Sequence, residues 1–387
     1  MAPAPEAEHI IRSTRDPEQL RARFEAWLRR QTDDAGATVD QVRAPEANGM
    51  SSETLLIDAT IGGQPQALVA RVAPDEVDVP VFPTYDLEAQ FLAMRLVGEH
   101  SDVPVPPTRW MEPDPDVLGA PFFVMDRVEG RVPPDNLPYT FEGWLLEATD
   151  EQRRHLQDAT VGVLAGIHGV DVAALEADGV DLSFLRRATD GAEGTPLRRH
   201  VEAWRRYYDW VRGDGRYPLV EAGFAWLDEH WPADEGDTVI SWGDARIGNM
   251  MYEADGWDPV AVFDWEMVAL GPRGIDLGWA TFLHTFFQDV TVVLDLPGLP
   301  DFMAVDDVAA TYRDLTDVEV GDLDWYTVYA ALRHGIVMAR VNQRMVHFGE
   351  APAPTFPDEA IMHRERLAEL LGLDPAELWP AADGDGT

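Results

Sequence analysis

Two regimes of hydrophobic patterning divide the chain near residue 127. Before it, apolar positions come mostly in short runs. Thr54 to Ile61, rich in Leu, Ile and Thr, meets the turn Gly62-Gly63-Gln64-Pro65 and then Ala67-Leu68-Val69-Ala70-Arg71-Val72-Ala73, which reads as a hairpin. Pro121 to Gly130 reads as a buried strand running into a glycine turn. A helix starts at Asp16-Pro17-Glu18, with Asp16 as cap and Pro17 in the first turn, and carries Leu20, Phe24, Trp27 and Leu28 on one face. A second helix spans about Asp86 to Glu99. Residues 31–38 read as a polar loop and Val103 to Pro107 as a rigid connector. Together these predict a small antiparallel sheet with one crossing helix.

Beyond Gly130 the apolar period becomes three to four, the helical spacing. Asp150 to Gly169 shows it most clearly, through Leu156, Val161, Leu164, Ala165 and Ile167. Further helices are predicted at Arg198 to Arg212, Leu219 to Trp231, Leu277 to Gln288, Val305 to Thr316, Trp325 to Phe348 and Pro357 to Leu371. Only near residues 240–265 does the pattern revert to short strands. The expected architecture is α+β and bilobal: a small, mostly antiparallel β lobe over 1–127 and a larger, mainly α lobe over 128–387. No internal repeat interrupts it.

Composition narrows the picture. The chain has 387 residues, 45% of them hydrophobic, which allows a large core and argues against global disorder. There is no cysteine, so disulfides and thiolate metal sites are excluded. The start Met1-Ala2-Pro3-Ala4-Pro5-Glu6 lacks the features of a signal peptide, and no apolar run approaches the ~18 residues of a membrane span. A cytoplasmic protein is expected. Thirty basic residues, every one an Arg, face seventy acidic ones for a net charge of −40. Such a surface repels nucleic acid and anionic membranes. It suits a salt-tolerant or GC-rich source better than steering of a cationic substrate. Oligomeric state is not legible.

The chemistry concentrates in Ser241-Trp242-Gly243-Asp244-Ala245-Arg246-Ile247-Gly248-Asn249. Asp244 and Asn249 have the D-x-x-x-x-N spacing of a kinase catalytic loop. Downstream, the apolar strand Val260 to Phe263 ends on Asp264, followed by Trp265 and Glu266. Phosphoryl transfer needs an oriented acceptor hydroxyl and neutralised phosphate charge. Asp244 suits the first task, and the hard oxygens of Asn249 and Asp264 suit Mg²⁺. The spacing alone is weak, since an Asx-capped turn produces the same pair. The strand ending on Asp264 makes it moderately specific. Asn48 to Thr54 is a small, hydroxyl-rich turn able to lay backbone N–H groups over phosphates, although an ordinary tight turn reads the same way.

These residues carry a likeness. With Leu68 to Pro74, Val79 to Tyr85, Pro121 to Asp126, Trp242 to Asn249 and Phe263 to Pro272, the chain resembles the aminoglycoside-phosphotransferase and choline-kinase branch of the protein-kinase-like enzymes, most nearly its actinobacterial members, over roughly residues 20–370. The resemblance implies a small-molecule kinase that uses ATP and Mg²⁺, with GTP open as the nucleotide and a hydroxyl-bearing small molecule, such as an aminoglycoside, as acceptor. Asp244 would be the catalytic base, with Arg246 beside it facing the γ-phosphate, the acceptor or a surface acid. Asn249 and Asp264 would ligate Mg²⁺. Gly49, Ser51 and Ser52 would lie over the phosphates. Arg71 would grip them with Glu88 as its partner, and the backbone of Asp126 and Val128 would hold adenine. Asp276 would brace the catalytic loop.

Two positions depart from the family pattern. Trp242 stands where the catalytic loop usually begins with His, a structural brace that another aromatic can replace. Arg71 stands where Lys is usual, and the two are not interchangeable on phosphate. These departures motivate a second class of reading, a nucleotide-binding pseudokinase; intact Asp244, Asn249 and Asp264 argue against it. His168 reads as a core or cap histidine. Glu266 reads equally as a metal contact or a structural carboxylate. His334, Arg340, Arg344 and His347 form a basic helix face, open to an anionic acceptor group or simply solvated. Trp279, Phe282, Met338 and Met345 lean toward a less polar acceptor, with macrolides, amino alcohols, sugars and hydroxyacyl thioesters as alternatives.

Overall fold

The computed structural model describes residues 17–43, 53–74, 79–135 and 137–379. The chain divides into two compact units. The smaller holds residues up to 78 and 108–127; the larger holds 79–107 and everything from Val128 onward.

The smaller unit is a helix on a sheet. Helix α1 (Pro17–Thr32) packs on strands β1 (Thr38–Arg43), β2 (Glu53–Ile61), β3 (Gln64–Val72), β4 (Thr108–Glu112) and β5 (Phe122–Asp126). The sheet is antiparallel throughout, in the order β1-β2-β3-β5-β4. Leu20, Phe24, Trp27 and Leu28 form the buried stripe of α1 against Leu55, Ile57, Leu68, Ala70 and Phe122. The expected cap Asp16 lies outside the described residues. Trp27 packs edge-on against Phe122, its ring centroid 4.9 Å away, and donates its indole N–H to Glu112 at 2.8 Å. Trimming it to Ala would cost about 3–5 kcal/mol. The pattern of apolar residues located the central strands but not β1 and β4. Both lie at an edge, and only Val39 is buried in β1 and no residue in β4, so neither shows an apolar face.

The larger unit begins with α2 (Leu87–His100). Its N-cap Asp86 accepts from the Ala89 N–H at 2.9 Å. The sequence places this helix in the small lobe as its crossing element; by its contacts it belongs to the larger unit. Around it Arg187 bonds Asp86 and Glu88, Tyr207 donates to the Val81 carbonyl, and Arg340 donates to that of Pro80. Those partners lie 99 or more residues away in sequence, beyond the reach of pattern reading.

The unit continues with α3 (Asp150–His168), α4 (Val172–Ala177), α5 (Pro196–Arg212) and α6 (Pro218–Glu229). Next come two short hairpin-like pairs, β6 (Thr238–Ser241) with β9 (Ala269–Pro272) and β7 (Met250–Tyr252) with β8 (Pro259–Val262). Helices α7 (Gly274–Val293), α8 (Val305–Thr316), α9 (Leu323–His347), α10 (Arg364–Leu370) and α11 (Pro375–Leu378) complete it. The predicted last helix, Pro357 to Leu371, is broken into a 3₁₀ turn at Pro357–Ala360 and α10. Helix α3 opens on a full capping box between Thr149 and Gln152. The stretch Asp150–Ala177 is apolar and long enough to cross a membrane by length and composition. Here its face through Leu156, Val161, Leu164 and Ile167 is buried in the core. Helices α7 and α9 meet closely, because a Cβ at Gly278 would lie 2.7 Å from the Tyr326 carbonyl. That contact sets where α7 delivers Asp276 and Trp279.

Candidate active site

The catalytic segment leaves β6 at Ser241 and is fixed within three residues. Gly243 has φ 91°, and a Cβ there would collide with the Met267 carbonyl, so this turn requires glycine. Asp276, fully buried in the first turn of α7, accepts from Ser241 Oγ at 2.8 Å, the Trp242 N–H at 2.7 Å and the Gly243 N–H at 2.9 Å. His168 Nε2 lies 3.0 Å from the same carboxylate, and its Nδ1 is 2.8 Å from the Tyr312 hydroxyl. Burial pushes the Asp276 carboxyl up, but His168 and the loop N–H groups outweigh it and hold it below the ordinary carboxylate range. The expected loop brace is thus observed, and His168 is a buried partner of that brace.

Trp242 is fully buried and ties the loop to the downstream strand. Its indole N–H donates to the carbonyls of Phe263 at 2.9 Å and Asp264 at 3.2 Å. The departure from His therefore still provides a brace. The Phe263 N–H donates to the Asn249 carbonyl at 2.9 Å, which brings Asp264 beside Asn249. Asp264 itself has φ 58°, an uncommon conformation for a residue with a side chain.

Asp244 is 8% exposed and held from three sides. Trp279 Nε1 donates to Oδ1 at 2.7 Å; Asn249 Nδ2 and Arg246 Nε donate to Oδ2 at 2.6 and 3.2 Å. Arg246 also bonds Asp135. Burial opposes its charge, but Asp244, Asp135 and Asp264 prevail and keep it firmly protonated. A cavity of about 10 Å³, the size of one water, lies beside Arg246 and is lined by Asp135, Tyr139, His284, Phe287 and Met303 among others.

Asn249 and Asp264 fit a divalent cation by donor chemistry. The Asn249 amide N–H₂ is committed to Asp244, which leaves its carbonyl oxygen as the outward donor, and Asp264 adds a carboxylate. Among the described residues no group of three or more His, Cys, Asp or Glu is placed to hold a metal. Two protein donors are sufficient for Mg²⁺ that also binds substrate phosphates.

The other expected site residues separate by unit. Arg71 lies on β3, paired with Thr54, and donates to its hydroxyl at 3.3 Å. Asp126 ends β5, its carboxylate held at 2.6 and 2.8 Å by Arg109, and Val128 begins the second stretch of the larger unit. Glu88 is bonded at 2.8 Å by Arg187, a partner the sequence did not suggest. Gly49, Ser51 and Ser52 lie outside the described residues. On α9 the expected basic face is mostly internal. His334 stacks on His363, Arg340 lies over Trp210, Arg344 is buried, and only His347 is exposed. Trp279, read from sequence as part of an acceptor-facing apolar set, is instead buried and bonded to Asp244. Its position three residues after Asp276, one helical turn on, is the signal that could have marked it.

Known proteins resemble the chain in sequence and in fold. A model of the phosphotransferase enzyme family matches residues 45–296. Among curated proteins, the chain is 27% identical to the probable acyl-CoA dehydrogenase IBR3 of Arabidopsis thaliana, over 66% of this chain and 30% of that one. It is 28% identical to acyl-CoA dehydrogenase family member 10 of Mus musculus, over 66% and 22%. The chain therefore spans less than a third of the length of these relatives. Among solved structures, a protein assigned as a candidate aminoglycoside phosphotransferase from Ralstonia eutropha superposes with TM-score 0.64 at 23% identity, over 90% of this chain and 96% of that one. Aminoglycoside phosphotransferase APH(4)-Ia, in ternary complex with ADP and hygromycin B, superposes with TM-score 0.50 at 15% identity, over 94% and 99%. An ethanolamine kinase of Plasmodium vivax gives 0.54 at 10% identity, over 86% and 82%. The fold is the kinase-like one.

Proposed function

Because the chain belongs to the phosphotransferase enzyme family, we propose that this small-molecule phosphotransferase moves the γ-phosphoryl group of ATP to an acceptor hydroxyl, with Asp244 as the orienting base. One observation carries the reading: a nearly buried carboxylate is clamped by Trp279, Asn249 and Arg246 at the start of a D-x-x-x-x-N loop. Asp244 accepts the hydroxyl's hydrogen bond and takes its proton as the phosphoryl group arrives. Arg246, held charged between Asp244 and Asp135, offers a fixed positive charge beside the reacting oxygen. Asn249 and Asp264 would hold Mg²⁺, which supplies neutralisation of the β- and γ-phosphates. Arg71 grips the phosphates, and the backbone of Asp126 and Val128 receives adenine. The ADP bound to a structural relative supports ATP over GTP. The braced Trp242 supports turnover over a pseudokinase. A net charge of −40 supports neither nucleic acid nor an anionic membrane as partner.

For the acceptor, the names of the curated relatives support a hydroxyacyl thioester. Hygromycin B bound to a structural relative favours a second reading, an aminoglycoside. A Mg·ATP consumption screen over hydroxyacyl-CoA compounds, aminoglycosides, macrolides and amino alcohols, at low and high salt, decides between them. Turnover on a hydroxyacyl-CoA that vanishes in Asp244→Ala supports the first; turnover confined to aminoglycosides rejects it. Arg71→Ala should weaken ATP binding about tenfold, the loss of one charged hydrogen bond; an unchanged affinity by calorimetric titration would remove Arg71 from the nucleotide site.

A further inference from the structure

The least economical residue of the larger unit is Arg333. It is fully buried on α9, and among the described residues no carboxylate forms an ion pair with it. Burying an unpaired guanidinium is costly, so a structure that retains one needs a compensating arrangement. Here three rings surround the guanidinium carbon: Trp279 at 4.3 Å, Trp204 at 5.1 Å and Tyr329 at 5.4 Å from the ring centroids. Among the described residues it makes one hydrogen bond, from Nη2 to the Gly243 carbonyl at 2.9 Å, and Nε and Nη1 have no partner. The ring faces compensate the charge in part.

Both things that Arg333 holds act on Asp244. Gly243 immediately precedes it. Trp279 donates to its Oδ1 at 2.7 Å, and a cation over an indole face draws electron density from the ring and strengthens its N–H as a donor. The Asp244 carboxylate has about four lone-pair positions. Asn249 and Arg246 occupy both on Oδ2, and Trp279 occupies one on Oδ1. We propose that Arg333 and Trp279 are positioning residues for phosphoryl transfer, which together fix the rotation of the Asp244 carboxylate so that the second lone pair of Oδ1 receives the acceptor hydroxyl. This rests on the reading of Asp244 as base.

The test is an indole ¹⁵N–¹H spectrum of the full chain, with Trp279→Phe to assign the Trp279 signal. A proton donated to a carboxylate resonates downfield. That signal should shift upfield in Asp244→Asn, and again in Arg333→Met. A Trp279 signal that stays in place in Asp244→Asn overturns the proposal, and this arm holds even where Arg333→Met fails to fold. Turnover is followed as Mg·ATP hydrolysis with water as acceptor. Trp279→Phe, which keeps the ring and loses the donor, should lower kcat at least tenfold with the KM for ATP within twofold. Trp279→Phe with Arg333→Met should be no slower than the slower single variant, because the two act in series. Wild-type kcat in Trp279→Phe, alongside an inactive Asp244→Asn, rejects the positioning role alone. An active Asp244→Asn rejects the base assignment on which the role depends.

Discussion

Two carboxylates at the Ser241–Asn249 loop, Asp244 within it and Asp276 bonded to it from α7, are treated in opposite ways. Asp276 is fully buried and takes two loop N–H groups, a serine hydroxyl and a histidine. Asp244, 8% exposed, takes side-chain donors from Trp279, Asn249 and Arg246. The first is spent on holding backbone in place; in the proposed mechanism the second is kept for chemistry. Residue type does not separate the two roles, but the kind of donor does. Backbone N–H groups of a tight turn are immobile, so a carboxylate bound to them becomes a post. Side-chain tips aim a carboxylate without consuming it.

The largest effect expected to test this contrast is on rate. Asp244→Ala should lower turnover by about 10²–10⁴-fold, the usual share of a general base. It should leave ATP affinity and the melting temperature near wild type, as titration and a thermal scan would show. Activity within tenfold of wild type would end the distinction from the chemical side.

Next in size is the opposite substitution. Asp276→Ala removes the common partner of two backbone N–H groups, Ser241 and His168, and should destabilise the chain by about 3–5 kcal/mol in urea unfolding, with activity lost alongside. A variant that unfolds like wild type would show that the loop is held by Trp242 and Arg333 without it.

Acid provides the mildest probe. Burial pushes His200 down to about 3, and His284 and His363 to about 4, from an ordinary 6.5. Below pH 6.5 the unfolded chain protonates these rings and the folded chain does not, so the unfolded state binds more protons. Stability should fall as pH drops from about 6.5 toward 4, by on the order of 1 kcal/mol per pH unit for each ring. Asp276 behaves differently. Its carboxyl is held below the ordinary 3.8, so its contribution is present above that value and is lost only as pH falls further. Urea midpoints followed from pH 7 to 3 should therefore decline well before the brace is titrated. A flat profile down to pH 4.5 would mean the histidines are not buried as neutral rings.

The site was more legible in the sequence than its supports. D-x-x-x-x-N and the strand ending on Asp264 are local patterns, the bracing role of Asp276 follows from the family resemblance, and the structure places Asn249 beside both Asp244 and the Asp264 strand. The polar edge strands β1 and β4 left no apolar signal. Helix α2 read as part of the small lobe, because nothing in its own residues reveals Arg187. Trp279 and Arg333 read as ordinary members of helical stripes.

What the sequence determined by itself is which residues carry oxygen donors and permanent charge, at what spacing, on an α+β chain of short apolar runs and then helical spacing. What only the tertiary structure decided is which donors each of the two carboxylates meets. That choice rests on hydrogen bonds from Trp279 and Arg333, 35 and 90 residues beyond the groups they hold. A bond of that kind depends on where two helices cross, and helix crossing is settled by packing between distant side chains, not by the residues next to the bond.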